Sequence, residues 1–320
     1  MKIGYPCQNR TLAPAVSTSR TFRLASWSPV RFRETVAQNL EGLRQILEWN
    51  VTQGIGFFRI SSDIIPFASH PVCNVCWWEE FREEFAAAGR IVREAGLRIT
   101  MHPDQFALIN SPHPEIVERS IAELLYHARI LDAMELDGAA RIQIHVGGVY
   151  GDRAAALRRF EANWRRLPEP ARRRLTVEND DRLYPVADCL LLHQALGVPV
   201  LLDFFHHQLL NRGEAEAAAL AAAAGTWDAA ASGLPLTDYS TQKPGGRTGA
   251  HAETLDAADF ADFLRRTRPV DFDIMLEIKD KEISARRAID LAAGDPRLVR
   301  FRWDGRTEER NNGRSEIGTG

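Results

Sequence analysis

The sequence predicts a single-domain (β/α)8 barrel, a TIM barrel, on three observations. Eight short apolar or β-branched runs recur along the chain, each of strand length, and helical stretches separate them in strict alternation. Five of these runs also stop on a metal-binding side chain: RITMH at His102, RIQIH at His145, LTVE at Glu178, VPVLLD at Asp203 and IMLE at Glu277. A βα repeat brings the ends of its strands to one rim, so ligands scattered along the sequence would meet there. A doubly wound open sheet is the structural rival, but it seldom has eight parallel strands whose C-terminal ends all carry polar ligands.

The strands are expected at 2 to 6 (KIGYP), 56 to 60 (GFFRI), 97 to 101 (LRITM), 140 to 146 (ARIQIHV), 174 to 178 (RLTVE), 198 to 203 (VPVLLD), 234 to 239 (LPLTDY) and 273 to 278 (DIMLEI). The helices are expected at 31 to 50, 77 to 95, 114 to 135, 153 to 166, 184 to 195, 213 to 224, 256 to 267 and 281 to 292. Pro112 and Pro114 precede or open the third helix, where a missing N–H loses no bond. Gly96 and Gly197 follow helices where a positive φ is needed. Residues 7 to 30 form a long polar loop with Arg10, Arg20 and Arg23, and long loops at a barrel rim usually carry function. The barrel domain is placed at 1 to 300, and the polar, Gly-rich tail from 301 to 320 is expected to be disordered.

Apolar residues make up 45% of the 320 and charged residues 26%, a globular composition with material for a core. The formal net charge is −3, so a nucleic-acid partner must be met by a local basic patch or by bound cations. The N-terminal MKIGYPCQNR has no long apolar segment, and no run elsewhere approaches the roughly 18 residues needed to span a bilayer. The protein is expected to be soluble, monomeric and cytoplasmic. Its four cysteines are too few for a disulfide scaffold. Cys73 and Cys76 form a lone C-x-x-C, open to a redox or zinc role or to local packing.

Beyond the five opening ligands, His206 lies three residues past Asp203, Asp238 ends the seventh strand, His251 follows in the next loop, and His70 lies in the loop after the second strand. Carboxylates and imidazoles without thiolates suit Mn²⁺, Zn²⁺ or Fe²⁺, and these candidates can serve two or three ions. One histidine alone is more often a hydrogen-bonded core or surface residue than a ligand. Several ionisable groups at strand ends are different, because burying them with no compensating cation costs several kcal/mol apiece. His113, His127 and His193 fall on helices or their caps and read as structural; His207 is ambiguous beside His206.

The stretches MKIGYPCQN, FRISSDIIPFASH, ITMHPDQF, IHVGGVYGD, LTVEND, DFFHH, DYSTQKPGGRTGAH and IMLEIKDKE together resemble the UV-damage endonucleases, DNA-repair enzymes of the xylose-isomerase-like barrel superfamily. The matching segments span about residues 1 to 290, in family order. The resemblance implies a hydrolase on damaged double-stranded DNA that cuts the phosphodiester bond immediately 5′ to a photolesion, leaving a 3′-hydroxyl and a 5′-phosphate. It implies up to three divalent ions, most often manganese, on His102, His145, Glu178, Asp203, His206, His251 and Glu277, with His70 also in the active site. Glu178, Glu277 and His70 would be its catalytic groups. Gln105 and Phe106 would probe the lesion from inside the duplex, and Tyr5 and Asn9 would contact flipped-out nucleotides. Lys243 and Arg247, with the loop arginines, would meet phosphates; a solvated basic loop explains them equally well.

This chain departs from the family pattern in three places. The usual Lys-x-His-Tyr-Ser of the seventh strand, whose lysine is modified to a carbamate and whose histidine binds metal, has Leu236 and Asp238 here. Leucine cannot fill the lysine's role, whereas Asp238 keeps an oxygen ligand. Phe106 replaces the usual tyrosine of the probing pair, and its ring can still wedge between bases. Two other readings stay open: a sugar isomerase or epimerase on the same barrel, using Glu178 and Glu277 as a proton-shuttling pair, and a lesion-binding protein that does not cut.

Overall fold

The computed structural model describes residues 1–103 and 106–299, so Gln105 and the tail from 301 to 320 lie outside the described residues. Eight parallel strands close into a barrel in chain order: β1 (Ile3–Pro6), β2 (Phe57–Ile60), β3 (Arg98–Met101), β4 (Arg141–His145), β5 (Leu175–Glu178), β6 (Val200–Asp203), β7 (Leu236–Tyr239) and β8 (Asp273–Leu276). Closure comes from β1, which pairs with β2 on one side and β8 on the other. Every expected strand forms, within two residues at each end.

Around the barrel lie α1 (Pro29–Thr52), α2 (Trp77–Glu80), α3 (Arg82–Ala95), α4 (Pro114–Ala133), α5 (Arg153–Trp164), α6 (Glu169–Arg172), α7 (Val186–Leu196), α8 (Phe204–Leu209), α9 (Glu216–Ala224), α10 (Ala229–Ser232), α11 (Ala257–Arg266) and α12 (Glu282–Leu291). Their ends follow local chemistry. The Ser28 side chain accepts from the Arg31 N–H to start α1, with Pro29 in its first turn. Gly96 and Gly197, at φ 62° and 70°, end α3 and α7 in the left-handed region. The single helix expected over 77 to 95 is broken at Phe81, which places Trp77 in the core against Phe85 and Tyr126. Among the described residues, no helix is long and apolar enough to cross a membrane.

Strand parity divides the core. Phe58, Ile60, Ile99, Ile142, Val177, Leu202 and Ile274 join the large apolar cluster shared with the helices. Their neighbours Phe57, Leu201, Leu236 and Met275 form a separate small cluster with Trp227 beside it. These four come from β2, β6, β7 and β8, and fill the barrel interior as a layer. Burying each is worth roughly 2 kcal/mol, so the layer is a plug and not a channel. One step further along each strand the inward side chains turn polar, and the candidate site begins there.

Candidate metal centre

Period 2 along a strand dictates the site. Counting two residues on from Phe57, Leu201, Leu236 and Met275 gives Arg59, Asp203, Asp238 and Glu277, all at the C-terminal ends of their strands. β4 and β5 add Gln143, His145 and Glu178, and His102 follows β3 directly. Contacts across the barrel prove that these side chains converge: Arg59 on β2 meets Asp238 on β7 at 2.7 Å, although the two strands are not neighbours.

Glu178 is the hub. Its carboxylate is buried, and three imidazoles approach it: His102 Nε2 at 3.3 Å, His145 Nε2 at 3.9 Å and His206 Nδ1 at 3.5 Å. Gln143 Nε2 donates to Glu178 Oε2 at 2.8 Å and fixes the carboxylate plane. Among the described residues, three overlapping groups have ligand atoms close enough to hold an ion: His102–His145–Glu178, Glu178–Asp203–His206 and Asp203–Asp238–Glu277. Seven of the eight expected metal ligands therefore sit in these groups. The eighth, His251, adjoins them: its Nδ1 lies 2.8 Å from the Glu277 carbonyl, which fixes the tautomer and leaves Nε2 free.

The chemistry of the donors fits cations. Asp203 Oδ2 is buried with no hydrogen-bond partner, while Oδ1 accepts from the His206 N–H at 2.8 Å and caps α8. Leaving such an oxygen unpaired is costly unless something positive meets it. Burial pushes the Asp203 carboxyl up to about 7, against the pull of His206. Burial would lower His206, but Asp203 and Glu178 outweigh it and carry it up to about 11. Burial also lowers His145, and Glu178 is held well below its ordinary value by the imidazoles of His145, His102 and His206, which overcome its desolvation. The cluster thus carries excess negative charge and recruits protons where ions would bind.

Two groups the sequence reading passed over hold the site in shape. Arg59 Nη2 donates to both oxygens of Asp238, at 2.9 and 2.7 Å, and to Gln143 Oε1 at 2.8 Å; Nη1 donates to Glu277 Oε1. Gln143 in turn links Glu178 to Asp238 Oδ2, with 2.8 Å on each side. Burial works against the Arg59 charge, but Asp238, Glu277 and Glu178 keep it above its ordinary value. Burial likewise would raise Glu277, and Arg59 brings it down to about 2. Arg59 and Gln143 have inward parity on their strands, but so do Arg98 and Arg141 at the start of β3 and β4, and parity alone does not single them out.

Other expected site residues fall elsewhere. His70 is exposed in the loop after β2, its Nδ1 accepting from the Val72 N–H, and lines a cavity of about 490 Å³ with Phe106 and Arg119 rather than joining the ligand groups. Phe106 is 71% exposed. Tyr5 and Asn9 are buried: Asn9 Nδ2 donates to the Tyr5 hydroxyl, which donates to Asn50 Oδ1. In this structure their polar atoms brace the loop after β1. Lys243 is tied to Glu253, whereas Arg247 is exposed and lines a rim cavity of about 700 Å³ with His102, His145 and His206. Cys73 and Cys76 are free and join none of the ligand groups among the described residues.

Residues 1–294 match the family model described as UV-endonuclease UvdE. The UV DNA damage endonuclease of Clostridium perfringens is 33% identical over 291 residues, covering 91% of this chain and 70% of that protein. The chain belongs to the UV-endonuclease UvdE family. A crystal structure of the family, SacUVDE, superposes with a TM-score of 0.88 at 40% identity, covering 93% of this chain and all of that one. D-Psicose 3-epimerase of Clostridium cellulolyticum H10 shares the fold alone, with a TM-score of 0.55 at 12% identity. Within the UvdE family chain described here, Leu236 belongs to the apolar plug and Asp238 to the Arg59 network, which is where the departures in the seventh strand end up.

Proposed function

We propose that this protein is a metal-dependent DNA-repair endonuclease that hydrolyses the phosphodiester bond immediately 5′ to UV photolesions in double-stranded DNA. The products are a 3′-hydroxyl and a 5′-phosphate, and the protein acts as a cytoplasmic monomer. The observation that carries this reading is the Glu178 hub with its three imidazoles, at the rim of a barrel in the UvdE family. His102, His145, Glu178, Asp203, His206, His251 and Glu277 would hold the ions, with manganese first and zinc or iron(II) also matched to the donors. Divalent ions held there would supply Lewis-acid chemistry and a nucleophile at neutral pH.

The protein's own groups do the positioning. Gln143 and Arg59 fix the planes of Glu178 and Glu277, so the site is shaped before substrate arrives. Arg247 on the open side of the rim meets phosphate, and the exposed Phe106 ring wedges where a damaged step unstacks most easily. Arg247 on the lining of the rim cavity suits a phosphate-bearing substrate better than a neutral sugar. The test is nicking of UV-irradiated against intact supercoiled plasmid after chelation and return of Mn²⁺, Zn²⁺ or Fe²⁺. Metal-restored nicking of the irradiated plasmid alone is expected. Binding without nicking under every metal would overturn the reading, as would equal cutting of both plasmids.

A further inference from the structure

The third ligand group is unlike the other two. Asp203, Asp238 and Glu277 contain no imidazole, and a cation already stands between two of them. Arg59 is 3% exposed and cannot shed its proton, so its charge is permanent at this position. Its fork spans Asp238 and Glu277, and Asp238 Oδ2 has both acceptor directions taken, by Arg59 and by Gln143. A divalent ion on the same oxygens would have to break these bonds and sit against the guanidinium. The strand below offers no replacement donor, because the inward residue before Asp238 is Leu236, packed with Phe57, Leu201 and Met275.

We infer that Arg59 is a built-in cation occupying the place of a third ion, so that this chain binds two divalent ions around Glu178 and none between Asp238 and Glu277. The inference rests on the metal-dependent reading above. It makes Arg59 a positioning residue and Asp238 its counter-ion instead of a ligand.

The count of bound ions tests this without reference to activity. Chelated, refolded-free protein is dialysed to equilibrium against Mn²⁺ and analysed for metal per chain. Two ions are expected for the wild type and for Arg59→Lys, and a third, weaker ion for Arg59→Gln, lost again in the double variant Arg59→Gln, Asp238→Asn. Three ions in the wild type would overturn the inference, and so would an Arg59→Gln protein, folded by circular dichroism, that still stops at two. If Arg59→Gln does not fold, Asp238→Asn decides: a count unchanged at two supports the inference, and a fall to one overturns it. Plasmid nicking is measured alongside; a wild type that nicks but holds three ions sinks only this inference, and one that holds two ions but never nicks sinks only the proposed activity.

Discussion

The two ends of the barrel bury charge in opposite ways. At the N-terminal end, Arg98 reaches Asp273 at 3.4 Å and the Ser232 and Leu234 carbonyls at 2.8 and 3.2 Å. Arg141 donates to the carbonyls of Arg173 and Leu175, and both guanidinium groups lie about the Trp227 ring, 6.0 and 5.8 Å from its centroid. Backbone carbonyls and Asp273 take the terminal nitrogens of both guanidinium groups, while their Nε atoms are buried without partners. At the C-terminal end the backbone is already spent within the strands, so charges must satisfy one another, and they do so incompletely: Asp203 Oδ2 and the Nδ1 atoms of His102 and His145 are buried without partners. At the floor the unpartnered atoms are arginine nitrogens, donors that cannot hold a cation; at the rim they include a carboxylate oxygen and imidazole nitrogens, which can.

Substitutions at the two ends should separate these roles. The largest effect is expected from Glu178→Gln at the rim: incision should fall by about a thousandfold or more, with circular dichroism unchanged. A variant that cuts at the normal rate would remove Glu178 from the hub. At the floor, Arg98→Met removes the cation from buried Asp273 and leaves it the Lys2 N–H, and a loss of roughly 3 kcal/mol is expected in denaturant unfolding, with metal content per chain intact. Should metal content fall together with stability, the two ends are not independent.

Between these extremes lies pH. In the metal-free protein His206 keeps its proton up to about 11, so that stabilisation is complete below the unfolded histidine value, declines progressively above it and is gone once pH has risen through about 11. Asp203, raised to about 7, has the same sign, holding a proton that its unfolded form has released. An ion binding at these groups must expel protons, so apparent Mn²⁺ affinity should rise with pH by up to about tenfold per unit for each proton released. Calorimetry in buffers of different ionisation enthalpy at pH 7 measures that release; no release would mean the ligands were already free. The smallest effect is expected from Phe106→Ala. With the ring 71% exposed, stability and metal content should not change, while preference for damaged over intact duplex should drop several-fold in competition binding. An unchanged preference would remove the wedge.

The barrel was legible because β-branched runs and punctuation recur, and six of the eight expected ligands because each ends a run; His206 and His251 follow in the segments after β6 and β7. The rest was hidden by context. Arg59 sits in GFFRI like any charged residue at a strand end, and only closure of the sheet reveals that β2 faces β7. The helix break at Phe81 is set by the burial of Trp77, a tertiary demand with no punctuation in the sequence. α8 is six residues long, too short for a periodic signal, yet it carries His206. Tyr5 and Asn9 carried functional chemistry in the sequence, and their mutual hydrogen bond became visible only with the loop folded over them.

That short helix ties two ligands into one mechanical unit. Asp203 ends β6, caps α8 through Oδ1 and points Oδ2 into the site, and its backbone exchanges two bonds with Asn179, whose carbonyl faces His206 Nδ1. Removing the Asp203 carboxylate thus also unfastens the imidazole three residues on. In a double-mutant cycle the two changes should be strongly sub-additive. Lineages that lose one of the pair then have little left to preserve in the other, so the two positions should drift together or stay together.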